Sequence, residues 1–100
     1  MKNTNNMEIK NEELDNLRKQ LDEIDKSIAT LFEQRMIVIR KVTAIKQKYS
    51  LPTYDPTREQ KMFEKNSKYI QHPEYVEPYK ELLAKCLEIS KNFQAKNRKN

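Results

Sequence analysis

Arg35 is a cation at a position where the surrounding sequence pattern calls for an apolar side chain. On both sides of it, apolar residues recur at alternating spacings of three and four, which is typical of one long helix with a single apolar seam. The seam comprises Leu14, Leu17, Leu21, Ile24, Ile28, Leu31, Val38, Val42 and Ile45. Burying a guanidinium is costly unless an opposite charge meets it. Taken alone, Arg35 is explained as well by an interhelical ion pair or a register role as by a bound anion.

Lys46 lies on nearly the same helix face as Arg35. Their separation in sequence leaves them within about 20° around the helix and about 16 Å apart along its axis. Long side chains leaning inward from both positions could bracket a small anion. A solvated lysine near a helix C-terminus is the simpler interpretation of Lys46 by itself.

Arg18 is a third cation of the same helix, about 25 Å along the axis from Arg35. One small molecule cannot touch both residues of a single chain. An antiparallel pair of long helices would bring Arg18 of one chain beside Arg35 of the other. Alternatively, Arg18 is an ordinary surface residue with no ligand.

The segment DPTRE, residues 55–59, places polar groups at the start of a second helix. Asp55 followed by proline is typical of an N-cap with proline at the first helical position. Arg58 in the first turn opposes the helix macrodipole slightly, so an anion or a nearby carboxylate would favour it there. Glu59 is equally consistent with an ordinary first-turn acid.

Ser90 and Gln94 place two neutral hydrogen-bonding groups on an apolar stripe of a third helix. They are spaced i, i+4 and continue the line of Leu83 and Leu87. Chance polar residues near a helix end would explain them nearly as well.

The elements that carry these residues are all predicted to be helical. The chain has no glycine, the residue that hairpin turns favour, and no alternating strand pattern. The first helix should run from about Glu12 to Tyr49 behind an Asn11 cap, the second from Asp55 to before His72, and the third from around Pro73 or Pro78.

The predicted length of the first helix, roughly 55 Å, exceeds the diameter of a domain of this size. We therefore expect an all-α fold with one long N-terminal helix and two shorter ones, intertwined with a second copy as a homodimer. We expect a disordered arm over residues 1–10, one helical domain over 11–96 and a polar tail over 97–100.

Composition limits the possible partners and the compartment. A net charge of +5 and a pI near 9.3 favour an anionic partner: nucleic acid, an acidic surface or a small polycarboxylate. A single cysteine, Cys86, provides no disulfide framework, which fits a reducing cytoplasm. The first residues have no apolar run, so neither a signal peptide nor a membrane anchor is expected. One cysteine and one histidine give no hint of a metal site.

The polar residues taken together resemble the all-helical class of chorismate mutase. The resemblance covers about Leu14 to Gln94 and rests on Arg18, Arg35, Lys46, the DPTRE segment, and the serine and glutamine at positions 90 and 94. It implies an intertwined homodimer and the unimolecular rearrangement of chorismate to prephenate in the shikimate pathway of aromatic amino acid biosynthesis, without metal or cofactor.

The resemblance also implies a role for each residue. Arg35 and the partner chain's Arg18 would grip the two carboxylates of the substrate, assisted by Ser90. Lys46 and Gln94 would hydrogen-bond the ether oxygen. Glu59 and the backbone around Asp55 would hold the ring hydroxyl, and Arg58 would line that end of the pocket.

Two other classes of function compete with this hypothesis. An isochorismate pyruvate lyase shares the fold and the basic residues, although Gln94 and the Arg58, Glu59 pair favour the mutase. A basic helical module that binds nucleic acid or a partner coiled coil would spread its cations along a solvent face. A mutase fold kept as a regulatory subunit is a further possibility, which an inactive pure protein would indicate. Here several cations fall in or beside apolar stripes, which favours a small-molecule substrate over nucleic acid or a membrane.

Overall fold

The computed structural model describes the backbone of residues 2–98 and the side chains of residues 6–98. Within that range the chain forms α1 (Lys2–Lys48), α2 (Pro56–Ser67), a 3₁₀ turn (Pro73–Tyr75) and α3 (Val76–Asn97). No strand occurs between residues 2 and 98. The predicted all-α fold of one long and two shorter helices is confirmed. None of these described helices is apolar over a stretch that would cross a bilayer.

The start of α1 corrects one prediction. The helix begins at Lys2 rather than near Glu12, and Asn11 lies inside it instead of capping it. The segment before Asn11 contains neither proline nor glycine, so nothing in it interrupts the backbone hydrogen bonds of the helix. The domain boundary predicted after residue 10 stays a prediction, because a helix can extend beyond the packed part of a chain. Met1, part of the predicted arm, lies outside the described residues.

In the first of two units, Met1–Arg35, the described residues all belong to α1. Every described side chain from residue 6 to residue 34 is exposed. The apolar seam is exposed too, from 44% at Leu14 to 61% at Leu31. Within this unit the seam side chains are not removed from water, so they contribute no stabilising free energy of burial. Apolar burial is what usually stabilises a helix of a folded protein.

The second unit, Met36–Asn100, contains the end of α1, the linker after it, α2, the 3₁₀ turn and α3. Its buried face on α3 is the line predicted from the sequence: Leu83, Leu87, Ser90 and Gln94. Thr43 of α1 is buried as well. Leu83 and Leu87 are the only buried apolar side chains among the described residues. The other three buried residues, Thr43, Ser90 and Gln94, are polar.

Two local motifs fix the linker between α1 and α2. At the end of α1, the Leu51 amide donates to the Lys46 carbonyl at 2.7 Å, and Ser50 between them has a φ of 55°. This is a helix C-cap of the Schellman type, in a chain with no glycine to occupy its left-handed position. At the start of α2, the Asp55 side chain accepts from the Arg58 amide at 3.0 Å, which confirms the predicted N-cap.

Candidate active site

Lys46 and Gln94, predicted to act together, are in direct contact. Lys46 lies in the last turn of α1 and Gln94 near the end of α3. The Lys46 Nζ donates to Oε1 of Gln94 at 3.2 Å and to the carbonyl of Thr53 at 2.8 Å. Gln94 is only 4% exposed, and Lys46 is half-buried. An ammonium has three N–H donors, so two fixed acceptors leave a third donor that can be aimed at an oxygen of a ligand.

Ser90 occupies the same buried face one turn before Gln94. It is 3% exposed, and its hydroxyl donates to the Cys86 carbonyl at 2.8 Å. Its burial beside Gln94 agrees with the predicted stripe of hydrogen-bonding groups on α3.

The DPTRE segment forms the opening of α2. Its cap brings the backbone of Asp55, Arg58 and Glu59 together, since the Glu59 amide also donates to the Asp55 carbonyl at 3.1 Å. The Glu59 side chain is 20% exposed and pairs with Lys91 of α3 at 3.3 Å. Arg58 and Asp55 are exposed. Glu59 is therefore the carboxylate of this segment that faces α3.

Lys91 is a residue of this region that sequence reasoning missed. Besides pairing with Glu59, its ammonium lies 4.8 Å from the centre of the Tyr54 ring, a favourable position for a cation. Lys91 follows Ser90 directly but lies about 100° away from it around the helix. Nothing in the sequence marks it apart from other lysines of α3, because its partners come from the linker and α2.

Arg98 is a second such residue. It follows α3 and was assigned to the polar tail, yet its guanidinium bonds to the linker and to the end of α1. Asn97, also assigned to the tail, is the last residue of α3. Lys99 and Asn100 of the predicted tail lie outside the described residues.

Arg18 and Arg35 belong to the first unit. Arg18 pairs with Asp15 at 3.6 Å, and both side chains are 64% exposed. Such an exposed pair contributes little to stability, so Arg18 could exchange Asp15 for a stronger anionic partner at small cost. Arg35 is half-buried.

Taken together, the described donors and cations of the second unit suit an anionic ligand rich in oxygen. Between residues 2 and 98, no three histidine, cysteine or acidic side chains are grouped so that they could hold a metal ion. The groups that the site presents are ammonium, guanidinium, amide, hydroxyl and carboxylate.

Comparison with known proteins identifies the family. Residues 17–95, most of the chain, match the family model described as chorismate mutase type II. The chain belongs to this family. All eight residues predicted for the site fall inside the matched range, whereas Arg98 falls outside it. Family membership thus supports the resemblance seen in the sequence without assigning a role to any single residue.

Two curated relatives of this chorismate mutase family chain are longer proteins. A bifunctional chorismate mutase/prephenate dehydratase of Aquifex aeolicus (strain VF5) is 32% identical over a 91-residue alignment that covers 83% of this chain and 25% of the relative. The T-protein of Enterobacter agglomerans is 40% identical over 50 residues, which cover 50% of this chain and 13% of the relative. The chain therefore spans a quarter or less of the length of these relatives. No solved structure matches the chain significantly.

Proposed function

We propose that the chain is a chorismate mutase, an isomerase that converts chorismate to prephenate in aromatic amino acid biosynthesis. The observation that carries the proposal is the contact of Lys46 with buried Gln94 at 3.2 Å, in a chain of this family. It supplies adjacent cationic and neutral donors, which is what an ether oxygen gaining negative charge needs.

The proposed reaction is intramolecular. The carbon to oxygen bond of the ether breaks as a carbon to carbon bond forms within the same molecule, so no proton is removed and no general base is needed. Catalysis then depends on holding the flexible substrate in its reactive chair-like shape and on fixed donors aimed at the ether oxygen. Each such donor is typically worth about 3 to 4 kcal/mol in the transition state.

We assign the two carboxylates of chorismate to Arg35 and to Arg18 from a second chain, with Ser90 assisting. Glu59 and the backbone near Asp55 would hold the ring hydroxyl, and Arg58 would line that end of the pocket. These assignments rest on the match between residue type and substrate chemistry, since a dianion compensates guanidinium groups placed among apolar side chains.

A homodimer supplies the second chain. The apolar seam of the first unit is 44% to 61% exposed in one chain, and a stripe of this length exposed to water favours association. A second copy offers the same stripe, which suits the self-complementary interface of a twofold dimer.

We place the protein in the cytoplasm, where its one cysteine would stay a thiol.

The test is an assay of the purified protein with chorismate and, separately, with isochorismate. Loss of chorismate absorbance with prephenate as the product is the expected result. Pyruvate from isochorismate, without prephenate from chorismate, would establish the lyase instead. No turnover of either compound would leave a regulatory or binding role, and salt-sensitive binding to DNA would then favour the nucleic-acid module.

A further inference from the structure

Arg98 joins three parts of the second unit around Lys46. Its guanidinium donates from Nη1 to the Leu51 carbonyl at 2.7 Å and to the Thr53 hydroxyl at 2.9 Å. Its Nη2 donates to the Lys46 carbonyl at 3.4 Å. Its backbone amide donates to the Gln94 carbonyl at 3.0 Å. One residue thus contacts the linker and the backbone of both members of the Lys46, Gln94 pair.

Thr53 connects Arg98 to the ammonium of Lys46. The Thr53 hydroxyl accepts from Arg98, while its carbonyl accepts from the Lys46 Nζ at 2.8 Å. Residues 51–55 of the linker lie outside any helix, so no helical hydrogen bond holds that carbonyl. The guanidinium provides such a constraint, because the planar fork of Nη1 and Nη2 together bonds the Leu51 carbonyl, the Thr53 hydroxyl and the Lys46 carbonyl.

A lysine side chain needs this kind of support to act as a fixed donor. Its four-carbon stem is flexible and has many rotamers, and a donor stabilises a transition state best when it is already in place. We propose that Arg98 is a positioning residue, which holds the Thr53 carbonyl and thereby the Lys46 ammonium in the geometry required for turnover. This inference rests on the proposed mutase function.

Three features separate this role from ordinary helix capping. Arg98 is half-buried, its bonds reach 45 to 52 residues back along the chain, and its contacts converge on Lys46 and on the acceptor of the Lys46 ammonium. Lys96, two residues earlier, is exposed in the last turn of α3. It carries the same charge and is a matched control.

The experiment compares steady-state kinetics of the wild type, Arg98→Ala and Lys96→Ala. For Arg98→Ala we expect kcat to fall by at least about tenfold with KM changed by less than about threefold, because the Lys46 donor acts on charge that develops in the transition state. Lys96→Ala should stay within about twofold of the wild type. Circular dichroism and a thermal melt check that each variant is folded.

A double-mutant cycle then distinguishes positioning of Lys46 from a general loss of rigidity in the second unit. On a Lys46→Ala background, Arg98→Ala should lower kcat by less than about twofold, since the group that it positions is gone. The same tenfold loss on both backgrounds, or wild-type kcat in a folded Arg98→Ala protein, would overturn the proposal.

Arg98→Lys is measured if Arg98→Ala does not fold. It keeps the charge but lacks the fork, so kcat should fall by at least about threefold; wild-type kcat in that variant would also overturn the role. If the wild type itself turns over no chorismate, the proposed function fails, whereas an active wild type with unaffected Arg98 variants refutes only the positioning role.

Discussion

The ammonium of Lys46 and the side-chain oxygen of Gln94 are 48 residues apart in sequence and 3.2 Å apart in space. The contact joins the end of α1 to the buried face of α3. Gln94 is buried on α3, while the Lys46 ammonium donates to Gln94 and to the Thr53 carbonyl. A flexible cation and a buried amide thus form one hydrogen-bonded pair, and the effects of replacing either residue depend on this pairing.

Replacing Lys46 should abolish most turnover without unfolding the protein. For Lys46→Ala we expect kcat to fall by at least about a hundredfold, because a charged donor to the ether oxygen is lost. Arg35→Ala should show a loss of similar size through the substrate carboxylate. Lys41→Ala, at an exposed position of the same helix, is the control and should keep wild-type kinetics. Normal turnover in a folded Lys46→Ala protein would remove its assigned role.

Gln94→Glu should restrict turnover to low pH. The introduced carboxyl can donate to the ether oxygen only while protonated, so activity should be present at low pH and fall as the pH rises through the pKa of that group. The measurement is kcat/KM between about pH 4 and pH 8, a range that includes the ordinary pKa of glutamic acid. The wild-type profile is the control, and a flat profile in the variant would contradict donation by residue 94.

Arg18 and Arg35 should complement each other between chains. If each pocket takes Arg35 from one chain and Arg18 from the other, a mixed dimer of Arg18→Ala and Arg35→Ala has one intact pocket. Random exchange makes half of the dimers mixed, so mixing should restore about a quarter of wild-type activity.

The control for complementation is the Arg18→Ala/Arg35→Ala double variant mixed with an equal amount of the wild type. Each pocket of that mixed dimer lacks one of the two arginines, so exchange should lower activity from about half to about a quarter of the wild-type value, whereas pockets built from one chain would keep it at about half. Subunit exchange is followed with a mass-tagged copy. Exchange without recovery of activity in the Arg18→Ala and Arg35→Ala mixture would argue against a shared site.

Removing the charge of Lys91 should weaken catalysis through Glu59. Lys91→Met keeps an apolar stem near Tyr54 but leaves the Glu59 carboxylate without its ammonium partner at 3.3 Å, so we expect kcat/KM to fall several-fold. Lys85→Met is the matched control, because Lys85 pairs with Glu88 on the same helix at 3.2 Å and is 65% exposed. Equal kinetics in the two variants would mean that the contact of Lys91 with Glu59 has no part in catalysis.

Ser50→Gly should stabilise the fold. Ser50 has a φ of 55°, a conformation that glycine adopts without the steric cost of a Cβ. We expect the free energy of unfolding to rise by about 0.5 to 1 kcal/mol, with a higher Tm at fixed protein concentration. Ser27→Gly, inside α1, should lower stability by a similar amount. A lower Tm in Ser50→Gly would show that the serine side chain contributes more there than the backbone strain costs.

The local features of this fold follow from the sequence. The apolar periodicity predicted α1, Asp55 followed by proline predicted the start of α2, and the line from Leu83 to Gln94 predicted the buried face of α3. Each depends on neighbours within one or two turns, where spacing and side-chain type fix the backbone. The start of α1 was missed because a polar segment without proline or glycine carries no strong signal for where a helix begins.

The contacts between elements required the tertiary structure. Residue spacing could place Lys46 and Gln94 on suitable helix faces, but their distance depends on how the end of α1 packs against α3. The same holds for Lys91 beside Glu59 and for Arg98 on Thr53, whose partners lie 32 and 45 residues away. Long side chains reach whichever acceptors packing brings within range, so the sequence determined which groups were available and the tertiary structure decided which of them meet.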